Sequence, residues 1–403
     1  MAQKMIVFII ATGILAYYIY TPIPEEVDQK LKITMLNSLI RTWDHVGQLL
    51  EWLGWRHVMH SLRILTDMQN IPALSDENIT VTDTIFSGVP VRLYVPTQQT
   101  NELKRGIIYI HGGGWCLGSP AMKSYDTVSR NTAKDLNAVI VSTSYRLAPE
   151  FHFPTQFDDV YTVVKYFLQD HILAEYSVDP ERTGISGDSA GGNLAAAVTQ
   201  QIAEDAEVRN KPKIQALIYP ALQPIDFDTP SYQQNKNMPL LTKSLTVRFW
   251  SEYFANDPSL YHAMASNTHM ALEFNYLFTF VNWSMYLPEN VKQSYTYSEP
   301  MFGKAELLQK YPGLMDSRAA PLLVKDSKLK LLPKTYVMTC EYDVLRDDGI
   351  MYVMRLRNAG VSVTHYHVKD GLHGALSLNS WPFDLENTKI VEAHYINWLD
   401  KNL

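Results

Sequence analysis

The feature that most constrains this chain is the run Gly187-Asp188-Ser189-Ala190-Gly191-Gly192, set between a strand pattern at Arg182–Ser186 and a helical pattern at Ala190–Glu204. A serine flanked by small residues at a strand-to-helix junction reads as a strained turn that lifts the Ser189 hydroxyl above the sheet edge. The Ala190 N–H and the helix N-terminus behind it then face any anion formed at that hydroxyl. Gly-x-Ser-x-Gly alone is a common chance match, and the strand–turn–helix frame is what gives it weight. A chain built around such a junction is committed to strands that alternate with helices.

That alternation runs from residue 80 onward. Eight β-branched or aromatic runs are candidate strands: Thr80–Phe86, Val89–Val95, Gly106–Ile110, Ala138–Ser142, Arg182–Ser186, Ile214–Tyr219, Lys334–Thr339 and Val361–His367. The first two, separated by Ser87-Gly88, read as a hairpin. Later ones are joined by helices such as Ala190–Glu204 and Asp347–Asn358, the second stopped by Ala359-Gly360. The expected fold is therefore α/β, a mostly parallel eight-stranded sheet flanked by helices over residues 80–403. Residues 21–79 and about 222–314 fall outside the alternation. The second stretch is rich in Tyr, Phe, Trp and Met. Ligands sit at the carboxyl ends of the strands in such sheets, so insertions there form a helical cap. An apolar, aromatic cap suits an apolar substrate or a membrane surface, although any one of its residues could equally be packing.

A second motif, His111-Gly112-Gly113-Gly114-Trp115, follows the strand Gly106–Ile110, which is expected near the sheet centre. Successive glycines leave backbone N–H groups open to a developing oxyanion. Gly113 and Gly114 are expected to donate together with Ala190, while His111 shapes the loop and Gly112 permits its bend. An acid and then a base should follow the serine. Asp343 comes just after Lys334–Thr339 on the catalytic edge, whereas Asp347 and Asp348 open the next helix and read as caps. His365 and His367 share one face of a strand and read as packing or surface residues. His373 lies in the glycine-flanked loop Asp370-Gly371-Leu372-His373-Gly374 and is the expected base, giving a triad Ser189–Asp343–His373. Arg146 is expected to pin a loop through carbonyls or a carboxylate such as Glu150. His57-x-x-His60 and His365-x-His367 are the only close histidine pairs, and neither fits a His-Glu-x-x-His metal site. No metal or other cofactor is implied.

Composition bounds the remaining classes. With 46% hydrophobic and 19% charged residues the chain can bury a large core, and a net charge of -7 without a long basic run excludes a nucleic-acid footprint. Met5–Tyr20 carries no charge and follows Lys4. It is short of the ~20 residues that span a bilayer comfortably. No small-x-small site follows it, and Tyr17, Tyr18 and Tyr20 suit an interfacial belt, so a retained signal anchor is favoured over a cleaved signal peptide. Lys4 before the segment and Glu25, Glu26 and Asp28 after it imply a single-pass type II topology, with residues 1–4 cytosolic and the catalytic domain luminal. In a lumen, the sequons at Asn78 and Asn282 become expected glycan sites. Cys116 and Cys340, the two cysteines, are expected to join as a disulfide, with two buried free thiols as the alternative.

The HGGGW of His111–Trp115, the YRLAPE of Tyr145–Glu150, the GDSAGG of Gly187–Gly192 and the contexts of Asp343 and His373 together resemble the hormone-sensitive lipase branch of the α/β-hydrolases. The similarity runs the whole length, through YYIYTP at Tyr17–Pro22 and YPALQP at Tyr219–Pro224, and points to the arylacetamide-cleaving members of that branch. It implies the α/β-hydrolase fold and a serine esterase anchored in the endoplasmic reticulum membrane. The substrates it implies are small apolar amides and esters, drugs among them, with a role in lipid metabolism and no obligate protein partner. A neutral-lipid lipase or cholesteryl ester hydrolase is the alternative. A non-catalytic receptor on the same fold should have lost a triad member, and here all three are present.

Overall fold

Eight strands form one sheet in the order β1-β2-β4-β3-β5-β6-β7-β8. They are β1 (Ile79–Phe86), β2 (Val89–Pro96), β3 (Lys104–Ile110), β4 (Ala138–Thr143), β5 (Val178–Asp188), β6 (Ile214–Ile218), β7 (Lys334–Tyr342) and β8 (Val363–Leu372). This computed structural model describes residues 20, 22–98, 100–292, 294–298, 300–380 and 384–403. Every expected strand is present, with altered ends. The hairpin turn at Ser87-Gly88 has φ 48° and 88°, the left-handed pair that suits a two-residue connection. β1, β2 and β4 pair antiparallel, and every pairing from β4 to β8 is parallel.

The strand sequences dictate two cores. β4 and β6 are buried at every position, as strands covered on both faces must be. Along β3, Ile108 and Ile110 join Val139, Val141 and Ile185 on one face, under Leu194 and Val198 of the helix Ala190–Glu204. Ile107 and Tyr109 point the other way, to Ile140, Ile214 and Ile218, covered by Leu136 of the helix Lys123–Leu136 and by Tyr395 and Leu399 of the helix Glu386–Asn402. The period of two along each strand assigns its residues to opposite layers.

Between β6 and β7 the chain leaves the sheet and builds a helical layer that includes Pro230–Gln234, Lys243–Phe254 and Pro258–Ala265. Tyr253 stacks on Trp115 at 4.3 Å and Trp250 packs on it at the same distance, so this layer sits directly on the loop after β3. The N-terminal helices Lys30–Trp52 and Val58–Asp67 pack beside this layer, with Arg248 donating to Glu51 at 2.9 Å. Among the described residues no helix is long and apolar enough to cross a membrane. The expected anchor Met5–Tyr20 lies, apart from Tyr20, outside the described residues.

The expected disulfide is not formed: Cys116 and Cys340 are free and buried. They belong to different cores, Cys116 with Trp115 and Cys340 with Tyr336 and Val368. β5 and β6 separate β3 from β7. Three strand spacings amount to about 14 Å, twice the roughly 7 Å limit on Cα atoms joined by a disulfide. Burial pushes both thiols well above the ordinary thiol range, so neither exists as a reactive thiolate. Native protein should therefore resist alkylation at both positions, whereas denaturation without reductant should expose two alkylatable thiols. A disulfide-linked Cys116–Cys340 peptide in an unreduced digest would contradict this topology.

Candidate active site

β5 ends at Asp188 and the helix Ala190–Glu204 begins two residues later, which leaves Ser189 alone to turn the chain, at φ 56° and ψ −120°. A side-chain-bearing residue rarely holds such a conformation unless its surroundings over-determine it. Here the Ser189 N–H donates to the Ile218 carbonyl at 2.9 Å, and the Ser189 carbonyl accepts from Asn193 at 3.0 Å. The turn is possible because its neighbours are small: a Cβ on Gly191 would stand 2.0 Å from the Ile110 carbonyl oxygen.

The other two candidates arrive from the ends of β7 and β8. His373 directly follows β8, and its Nε2 is 2.9 Å from Ser189 Oγ. Its Nδ1 is 2.8 Å from Oδ2 of Asp343, a fully buried carboxylate whose second oxygen accepts from the Leu345 N–H at 2.9 Å. The carboxylate places the imidazole proton on Nδ1, which leaves the Nε2 lone pair directed at the serine hydroxyl. Tyr219 packs its ring on His373 at 4.8 Å. Asn235, from the layer over the sheet, donates to the backbone carbonyls of Asp343 and Glu341 at 2.9 and 3.0 Å. The structure thus brings together the three residues singled out by order and context.

The loop after β3 divides its N–H groups by role. The Gly112 N–H is committed, 2.9 Å from Asp188 Oδ1 and 3.0 Å from the Tyr125 hydroxyl. The N–H groups of Gly113, Gly114 and Ala190 have no protein acceptor among the described residues, which leaves them for an oxyanion. The loop needs glycine at Gly113, which has φ +105° and where a Cβ would lie 2.2 Å from the Leu117 carbonyl oxygen. His111 is buried, stacks on Tyr145 at 4.4 Å and donates from Nδ1 to the Gly112 carbonyl at 2.8 Å. Burial lowers its pKa to about 4, so it shapes the loop as a neutral ring.

Sequence reasoning missed Asp188 as a functional residue. Its Oδ1 accepts from Tyr109 at 3.1 Å and from Gly112, and its Oδ2 accepts from Tyr125 at 3.2 Å, so it ties the nucleophile's turn to the oxyanion loop. The available signal was a charged residue at a turn that requires only small ones. Burial raises its pKa to about 6 against the pull of these donors.

Two other expectations are corrected, the partner of Arg146 and the role of Asp347 and Asp348. Arg146 pairs with Asp159 at 2.6 and 2.9 Å, not with Glu150, which is held by Arg63 at 2.6 and 2.7 Å. Arg63 also donates to the Cys116 carbonyl at 2.8 Å, so an N-terminal helix braces the oxyanion loop from outside. Asp347 and Asp348 do more than open a helix. Asp347 accepts from the Ser231 N–H at 2.6 Å and Asp348 from the Leu222 N–H at 2.9 Å, which roots the overlying layer beside Asp343. His365 and His367 both engage Thr339 Oγ1, at 2.8 and 2.9 Å, as packing residues. His57 caps the helix Val58–Asp67, and His60 meets Glu150. Of the sequon asparagines, Asn78 is exposed, whereas Asn282 is half-buried with its Oδ1 accepting from the Ser284 N–H at 3.1 Å and hydroxyl at 2.7 Å.

The chain is similar to known proteins over most of its length. The model of a family described as having the alpha/beta hydrolase fold matches residues 107–284 and 282–377. Arylacetamide deacetylase of Oryctolagus cuniculus is 52% identical over 98% of this chain and 99% of its own length. Neutral cholesterol ester hydrolase 1 of Bos taurus is 46% identical, with 96% of each chain covered. Among solved structures, a bacterial heroin esterase superposes with a TM-score of 0.64 at 25% identity, covering 86% of this chain and 92% of that one.

The brace at Asp188 carries a pH signature. Its pKa is about 6 in the fold against 3.8 for an ordinary aspartate, so the fold favours the protonated form. That contribution is fully present below about pH 4 and is lost as pH rises through about 6, an effect of about 3 kcal/mol. The stability of wild type relative to Asp188→Asn, measured by denaturant titration, should therefore fall between pH 4 and 7. Turnover of the variant should drop about 10- to 100-fold through the loosened oxyanion loop. A pH-independent stability difference together with unchanged turnover would remove Asp188 from this role.

Proposed function

This chain belongs to the α/β-hydrolase family, and we propose from that premise that it cleaves arylacetamides and small carboxylic esters through an acyl-enzyme on Ser189. The observation that carries the reading is the unbroken line from Asp343 through His373 to Ser189, with contacts of 2.8 and 2.9 Å. His373 Nε2 takes the hydroxyl proton as Ser189 Oγ attacks the substrate carbonyl carbon. The carbonyl oxygen becomes an oxyanion within reach of the Gly113, Gly114 and Ala190 N–H groups. As the tetrahedral intermediate collapses, His373 returns the proton to the departing amine or alcohol, which leaves the acyl group on Ser189. Water then repeats the sequence, its proton passing to His373 and on to Ser189, and releases the carboxylic acid. Throughout, Asp343 keeps the imidazole oriented and stabilises its charged form.

The substrate class is supported by 52% identity to the rabbit deacetylase over nearly the full chain, and by the aromatic layer of Phe249, Trp250 and Tyr253 beside the oxyanion loop. Cholesteryl ester hydrolysis is the second reading, favoured by 46% identity to the bovine neutral cholesterol ester hydrolase. The uncharged Met5–Tyr20 run and the exposed Asn78 sequon support a type II protein of the endoplasmic reticulum membrane with its catalytic domain in the lumen.

Ser189→Ala should abolish labelling by a fluorophosphonate and lower turnover by about 10⁴-fold or more. Asp343→Asn should remain folded and lose about 10³- to 10⁴-fold. On one wild-type sample, kcat/KM should rank an aryl acetamide and a short-chain ester above a cholesteryl ester and a long-chain triacylglycerol. The reverse ranking would favour the lipase, and labelling of intact Ser189→Ala would overturn the nucleophile.

A further inference from the structure

The helix Lys30–Trp52 carries an apolar row on the side opposite the one it packs against the domain. Its packed side carries Ile33, Asn37 and Gly47, with Ile33 clustered with Val27 and Leu372 and Gly47 set against Val58 and Ser61. The other side presents Leu31, Met35, Leu39, Val46 and Leu49, which are 74, 58, 43, 41 and 54% exposed. At 3.6 residues per turn these five fall within an arc of about 80°, centred about 160° from the packed side. Trp52, in the last turn, and Trp55 just beyond it are also exposed, at 81 and 76%. A helix covering a soluble domain turns polar residues outward, and this one turns out an apolar row along its full length.

What covers the row follows from where the chain comes from. This inference rests on the reading of Met5–Tyr20 as a membrane anchor. Nine residues, 21–29, separate that run from Lys30. They span at most about 30 Å, so the helix begins close to where the chain leaves the bilayer. Exposed tryptophans at its far end suit the headgroup region, and exposed Lys30 and Arg56 flank the row with positive charge. We propose that this face lies on the lipid surface, a second membrane contact made by the catalytic domain itself. The same elements touch the triad loops. Ile33 packs on Leu372 next to His373, and Tyr342, next to Asp343, donates to Glu26 at 2.9 Å. Docking of the helix therefore holds the acid and base loops at the interface, where apolar esters and amides concentrate.

Because Cys116 and Cys340 are buried, a single cysteine introduced into the full-length protein at Met35, Val46 or Leu49 can be spin-labelled selectively. Each labelled protein is reconstituted into phosphatidylcholine vesicles and collected by flotation. Collision with molecular oxygen and with a water-soluble nickel chelate is then compared with that of a label at Arg209, which is 85% exposed. The proposal expects oxygen access together with nickel access reduced about fivefold or more at all three positions. Nickel access equal to that at Arg209 in floated protein overturns the docking while leaving the anchor intact. Exclusion of both reagents, as when the chain's own N-terminus covers the row, also overturns it. So does spin–spin broadening from a second copy. Failure to float overturns the anchor and the docking together. In parallel, the triple variant Met35→Gln, Leu39→Gln, Leu49→Gln should keep wild-type turnover of a water-soluble acetate ester and lose severalfold on a long-chain ester dissolved in the vesicles. Equal loss on both substrates would contradict a role at the interface.

Discussion

A serine forced into a left-handed turn between a strand and a helix is the constraint from which the rest of the site follows. Ser189 at φ 56° is strained, by about 1 to 3 kcal/mol for a side-chain-bearing residue. The strain is offset by hydrogen bonds to both peptide groups of Ser189 and by a following helix whose Leu194, Ala195, Ala196 and Val198 are buried against the sheet. The turn also sends neighbouring groups to different tasks. Ser189 projects toward His373, the Ala190 N–H is left open, and Asp188 reaches back to Tyr109, Tyr125 and Gly112. Nucleophile and oxyanion loop are thereby fixed by one segment of chain, so the donors are in place before any charge develops.

The acid and the base are held differently, by segments that do not belong to the sheet. Asn235 holds the carbonyls of Glu341 and Asp343, the Ser231 hydroxyl donates to the Val344 carbonyl at 2.7 Å, and Asp347 and Asp348 accept from the same overlying layer. Burial pushes Asp348 up to about 8, so at neutral pH it sits there largely as the acid, accepting from Leu222 and Gln223 without an isolated buried charge. Val27 and Ile33 of the N-terminal segment pack on Leu372, with Leu240 of the overlying layer against the same cluster. The insertions that cover the sheet edge are thus part of what positions His373 against Ser189, and substrate access and triad geometry are properties of the same layer.

Much of this was legible in the sequence because it is written in local pattern. Strand runs such as Ala138–Ser142 announce themselves by β-branched, apolar character, and the elbow and the glycine loop by residues that few other contexts require. The acid and base followed from chain order and from their place after β7 and β8. What was not legible depends on strand order and on distant partners. Pairing Cys116 with Cys340 required β3 and β7 to be close, and two intervening strands keep them apart. Arg146 was rightly read as a loop pin, but its partner is Asp159, thirteen residues on and one helix away, and nothing in the local pattern separates that from Glu150. Asp347 and Asp348 looked like ordinary helix-start carboxylates because their acceptor role is visible only once residues 222 and 231 are folded over them.

The central claim is that hydrolysis proceeds through an acyl group carried on Ser189. The most direct measurement is to mix the enzyme with an activated aryl acetate, quench in acid during the first turnover, and map the modified peptide by mass spectrometry. The account predicts one acetyl group per active chain, located at Ser189 and discharged by water before the quench if mixing is prolonged after substrate is exhausted. An acetyl group on another residue, or steady turnover with no acyl-enzyme at any quench time, would contradict it.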